Sequence, residues 1–255
     1  QDQQAKLDVQ SAYLVAECPT SILSEKQHIK VPTQFVESTL KKQLSKQYQQ
    51  VLRNHESQCW QQLQSLYALT RLQTNADQLE ADFPDLFDQS TWYLFGLDRK
   101  KLIGLSTAAG AASGAIIDAG VGGASFMAGA LTGGVVSGLA SLAATMKTDS
   151  LKIKGVPIAG KQLSAGPVKD TGFAFVVLGR QLDFLDAVSS KNHGDRVAVD
   201  VQDRGMGHRL ERLGKKRQIQ LTRLLYKAAK GLSQSETGQL AEMISQLRST
   251  GDNDV

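Results

Sequence analysis

The residues whose types could do chemistry are few and scattered. Gly155-Val-Pro-Ile-Ala-Gly-Lys161 spells the start of a phosphate-binding loop, in which backbone N–H groups cradle phosphates and a following Ser or Thr holds Mg²⁺. Gln162 stands where that hydroxyl is needed, Pro157 lies inside the loop, and Gly166-Pro167 stops the helix that would receive the phosphate. The nucleotide site is therefore rejected. Glu80, Asp82, Asp85 and Asp88 cluster around a Phe83-Pro84 turn, but with no histidine and no Asp-x-Asp-x-Asp-Gly loop they read as a solvated acidic link rather than a metal site. Asn192-His193-Gly194-Asp195 sets a histidine beside an acid in a glycine-containing turn, where a structural role is expected. Cys18 and Cys59 lie far apart with no Cys-x-x-Cys motif and read as two reduced, idle thiols. The sequence thus assigns no catalytic residue, no metal and no cofactor, and points to binding rather than catalysis. Its basic residues are not interleaved with aromatics, so nucleic acid is not an expected partner.

What remains is a row of small residues. From Leu102 to Met146 the chain holds one charged residue, Asp118, and no Lys, Arg, Glu, His, Asn, Gln or Pro; something must cover it. As one helix it would extend about 67 Å, more than twice a bilayer core of about 30 Å, so a hairpin is the economical reading. Its break falls where Asp118, Gly120, Gly122 and Gly123 collect. Gly110 and Gly114 in the first arm, and Gly129, Gly133 or Gly134, and Gly138 in the second, recur at helical spacing. Glycines four apart let two backbones approach closely, forming a glycine zipper. Lipid or protein can cover it. The apolar residues of the second arm favour insertion by only roughly 0.3 to 0.6 kcal/mol each, while Arg99, Lys100 and Lys101 before the run and Lys147 after it would keep both ends on the cytoplasmic side.

The elements around this run are helical by pattern. Residues from Asp2 form a helix that Pro19 ends, and a stripe from Val36 through Leu40, Leu44, Tyr48, Leu52, Cys59 and Leu63 makes one long amphipathic helix or two in sequence. Phe173–Leu178 reads as a buried strand or the start of a helix, and Arg180–Ser190 as an amphipathic helix. Arg212, Lys215, Lys216 and Arg217 open the most basic part of the chain. The helix after them suits an anionic lipid surface, or equally packs on the domain with a solvated basic face. Ser233 and Glu236 make a capping box for a last helix through Leu247. The expected fold is mainly α, with a central Gly/Ala-rich helical hairpin and a few short β-strands. Three regions follow: an N-terminal helical region (1–98), the zipper hairpin (99–147) and a C-terminal α+β region (148–255). Gln1, with no charged-then-apolar leader behind it, is expected in a fragment or a processed product. The net charge of +4 permits an acidic partner.

Leu94-Phe-Gly-Leu, the Gly/Ala run with its Ile117-Asp-x-Gly-x-Gly-Gly123 turn, and Phe173-Ala-Phe-Val-Val-Leu-Gly-Arg180 together resemble the C-terminal region of a family of bacterial P-loop GTPases. In that family a GTPase domain precedes such a glycine-rich region. The resemblance implies that this chain, which has no GTPase motif of its own, is the non-catalytic half. Its partners would be a GTPase domain in cis or in trans and anionic lipid, at the cytoplasmic face of the inner membrane; a homo-oligomer is also compatible. A pore-forming helical module of the colicin kind and a soluble scaffold with a permanently buried hairpin stand as alternatives.

Overall fold

The computed structural model describes residues 2–30, 37–68, 83–88, 91, 99–109, 152–153, 156–157, 162–168, 170–193 and 206–248. Its centre is a helix, α4 (Thr171–His193), numbered here after α1 (Asp2–Leu23), α2 (Glu37–Ala68) and α3 (Arg99–Ala108). Phe173, Phe175, Val176, Val177, Leu178, Leu182, Phe184 and Leu185 of α4 are all fully buried. An apolar surface on every side requires protein on every side, and α1, α2, α3, α5 (Met206–Glu211), α6 (Lys215–Ala228) and α7 (Gln234–Arg248) pack around it. Where the pattern allowed a strand followed by a separate amphipathic helix, the chain makes one continuous helix. Asp170 starts it by accepting from the backbone N–H of Gly172 (2.7 Å) and Phe173 (3.1 Å), satisfying donors that have no partner within the helix.

The long N-terminal stripe forms the single helix α2, burying Leu40, Leu44, Tyr48, Leu52, Cys59 and Leu63, with Glu56, Trp60 and Tyr67 added to its inward face. Helix α1 does not end at Pro19 but runs through it to Leu23. The lost N–H and ring crowding of a proline are offset here by Ile22 and Leu23, both fully buried. The two thiols are also corrected. Helices α1 and α2 pack together, Cys18 and Cys59 stand 6.0 Å apart at Cα, and they form a disulfide across a sequence separation of 41, a contact that spacing in the chain could not reveal.

Short strands complete the fold. β1 (Gln27–Lys30) pairs antiparallel with β4 (Gln162–Ala165), Gln27 opposite Ala165, and β2 (Lys152–Ile153) pairs with β3 (Val156–Pro157). The Gly-Lys segment thus leads into strand β4, not into a helix with a phosphate-ready N-terminus. After β4, Gly166 adopts φ +80°, and a Cβ there would fall on the Glu25 carbonyl and the Tyr48 hydroxyl; only glycine meets both demands.

Charged groups also lie inside the bundle. Arg180 donates to both carboxylate oxygens of Glu56 (2.7 and 2.9 Å) and to the Pro84 carbonyl (2.7 Å), with its guanidinium over the Trp60 ring. Asp85, read from sequence as part of a solvated link, is exposed and accepts a bidentate pair from Arg53 (2.6 and 3.0 Å) and the Phe87 N–H (2.9 Å). Leu86 and Phe87 carry that segment into the core. Glu80 and Asp82 lie outside the described residues.

Candidate functional site

The surface that gathers the predicted cations is built by α3, α5 and α6. Helix α3 carries Arg99, Lys100 and Lys101 and the first residues of the apolar run. Leu105 and Ser106 are buried and Leu102 packs against the core, so this part of the run is covered by protein. Lys101 Nζ donates to the Gly207 carbonyl and to Glu211 Oε1, both at 3.0 Å, tying α3 to α5. Its ammonium holds the Glu211 carboxyl below the usual range. At the other end of α3 the Ala109 N–H closes the last turn on Leu105 (2.8 Å). Arg223 Nη2 reaches the Ala108 carbonyl (3.4 Å), a cation at the negative end of a helix dipole.

Helix α6 packs on the domain through the apolar face that its pattern predicts. Leu221, Thr222, Leu224, Leu225 and Ala228 are buried, in packing against α1, α3, α4 and α7, so the apolar face is already occupied and only the basic face meets solvent. At about 100° per residue, Lys216, Arg223 and Lys227 fall within about 40° of one another, directly opposite the buried side. They span about 17 Å at 1.5 Å per residue, and Lys230, also exposed, follows one turn further on.

These cations are unequally engaged. Lys227 pairs with Glu236, which also accepts from the N–H and hydroxyl of Ser233 (2.9 and 2.8 Å) in the capping box of α7. The Lys227 and Ser233 bonds bring the Glu236 carboxyl down to about 2. Arg217 bonds the Gln246 side-chain oxygen, and Lys230 lies over the Tyr226 ring (5.8 Å). Lys215 and Lys216 are exposed and meet no carboxylate among the described residues. They and Arg217 occupy the first turn of α6, where Gly214 supplies no side-chain cap and no acid is present. The positive end of the helix dipole makes that arrangement unfavourable for the isolated domain.

Of the residues singled out from sequence, Lys101 lies on α3, Lys215, Lys216 and Arg217 on the adjoining α6, and Arg212 in the turn that leads into α6. The backbones of Arg99 and Lys100 belong to α3. Gly110, Gly114, Asp118, Gly120, Gly122, Gly123, Gly129, Gly133, Gly138 and Lys147 lie outside the described residues. Sequence reasoning left Arg223, Lys227 and Lys230 out of the candidate set, although their steps of four and three from Lys216, through Gln220, carried the signal. Among the described residues no helix is long and apolar enough to cross a membrane, and no three His, Cys, Asp or Glu side chains gather as a metal site.

Compared with known families, the chain matches the one described as a domain of unknown function, DUF3482, over residues 1–250. No match is found among curated proteins or among solved structures. With the match covering nearly the whole chain, the protein belongs to the DUF3482 family.

Proposed function

We propose that this member of the DUF3482 family is a non-catalytic, membrane-associating region that works beside a P-loop GTPase domain, in cis or in trans, at the cytoplasmic face of the bacterial inner membrane. The observation that carries the membrane reading is where the apolar run begins. It continues from α3, whose last helical carbonyl is held by Arg223 of the basic helix, so the apolar and cationic parts of the chain meet at one place. The GTPase association rests on the sequence resemblance between Leu94 and Asp195.

Geometry also limits the depth of insertion. With α3 docked through Ala108, the stretch from Gly110 to Asp118, as the helix that lipid requires of a single segment, reaches about 14 Å, half of a bilayer core. A hairpin turning at Asp118 would then enter one leaflet. The burial of Leu105 and Ser106 favours a second reading, in which protein covers the rest of the run as well.

Flotation on anionic vesicles separates the two. Membrane association predicts that the chain floats, with a salt-resistant fraction from the apolar run that changes when Gly129→Leu and Gly133→Leu remove the zipper face. A chain that stays at the bottom of the gradient, with a cooperative melt unaffected by detergent, assigns the run to the protein interior.

A further inference from the structure

We infer that the outward edge of α6, formed by Lys216, Arg223 and Lys227 and continued by Lys230 in the turn that follows the helix, is the face on which the domain lies against an anionic bilayer, and that it touches headgroups without entering the lipid. This rests on the membrane reading above and adds the orientation and the residues that set it.

An amphipathic helix ordinarily binds a membrane by burying its apolar face among acyl chains. In α6 that face is spent on Leu221, Leu224, Leu225 and Ala228, all inside the bundle. The helix can offer only charge. The charge is arranged for a surface rather than a pocket: a nearly straight row of exposed cations opposite the buried side, with one acid among the described residues, Glu236, engaging one of them. A planar array of lipid phosphates complements such a row, each basic residue near the surface contributing about fivefold in partitioning. A nucleic-acid backbone presents phosphates too. The bilayer is favoured because Arg223, in the middle of the row, holds the Ala108 carbonyl, and the chain continues from there into the most apolar part of the sequence.

The test uses the full chain on phosphatidylcholine vesicles, with and without about one third phosphatidylglycerol, at low and high salt. The face variant Lys216→Glu/Arg223→Glu/Lys230→Glu should lose at least about 100-fold in partitioning to the anionic vesicles. The control Lys6→Glu/Lys42→Glu/Lys46→Glu changes net charge equally on α1 and α2 and should lose no more than about fivefold. Circular dichroism melts verify folding, and the milder Lys216→Gln/Lys230→Gln, expected to lose about 25-fold, carries the test if the triple reversal unfolds. Wild-type flotation with equal losses in face and control variants, or with none in the face variant, overturns the assignment while leaving membrane association standing. Wild-type failure on every vesicle overturns both. A DNA duplex bound by the wild type and not by the face variant, with no vesicle binding, gives the row to nucleic acid and also overturns the inference.

Discussion

Arg180 has its guanidinium nitrogens occupied by Glu56, Pro84 and Thr91, so removing one partner differs from removing both. Glu56→Ala leaves a buried cation uncompensated and should cost about 3–5 kcal/mol, whereas Glu56→Ala with Arg180→Met should recover much of that loss; urea midpoints decide. Gln181 presents the opposite case. Its amide is fully buried and neither its oxygen nor its nitrogen finds a partner among the described residues, so Gln181→Met, similar in volume, should stabilise by about 1–2 kcal/mol. Asp85 supplies a pH dependence. Partial burial would raise its carboxyl, but the Arg53 bonds, the Phe87 N–H and the nearby cations prevail and lower it. A depressed folded-state pKa gives stability that is present above the unfolded value and is lost as pH falls through the folded one. Asp85→Asn should therefore flatten the acid limb of the stability curve below about pH 4. None of these three was legible in the sequence. Glu56 lies within a polar stretch of α2 and Arg180 within an apolar one of α4, and only packing identifies them as partners.

Helices were more readable than their exceptions. The Ser233–Glu236 box was visible as a spacing, and the structure closes it reciprocally, with Ser233 N–H on Glu236 and Glu236 N–H on Ser233 Oγ (3.4 Å). Ser233→Ala should cost about 1 kcal/mol, read from the thermal midpoint. The stripes of α2 and α7 were legible because period 3.6 repeats along them, while Pro19 and α4 show where local rules fail. A proline is carried inside a helix when the turn beyond it is buried, and a helix enclosed on all sides loses its polar face and with it the periodicity. The four-residue pairing of β1 with β4 left no local trace, since each strand is completed by a segment more than a hundred residues away.

The disulfide acts on the whole molecule. Closing a loop of 41 residues restricts the unfolded chain by about 4 kcal/mol in the chain-entropy account, so Cys18→Ser should lower the unfolding free energy by about that amount, measured without reductant. The mainly α class and the location of the basic stretch could be read from the sequence. That α3 seats beside α6 could not, because Ala108 and Arg223 meet only after the chain has travelled through the apolar run. A last consequence follows from the packing of α1 on α7, the first described helix on the final one. Arg248 of α7 bonds Asp186 of α4 (3.1 Å) and lies against Ser11 of α1 (3.5 Å). At a translation rate of about 5–20 residues per second, α1 leaves the ribosome on the order of ten seconds or more before α7 does. Throughout that interval the side of α1 that α7 covers in the finished protein stays open, and the growing chain offers an adhesive face to any chaperone or neighbouring nascent chain it meets.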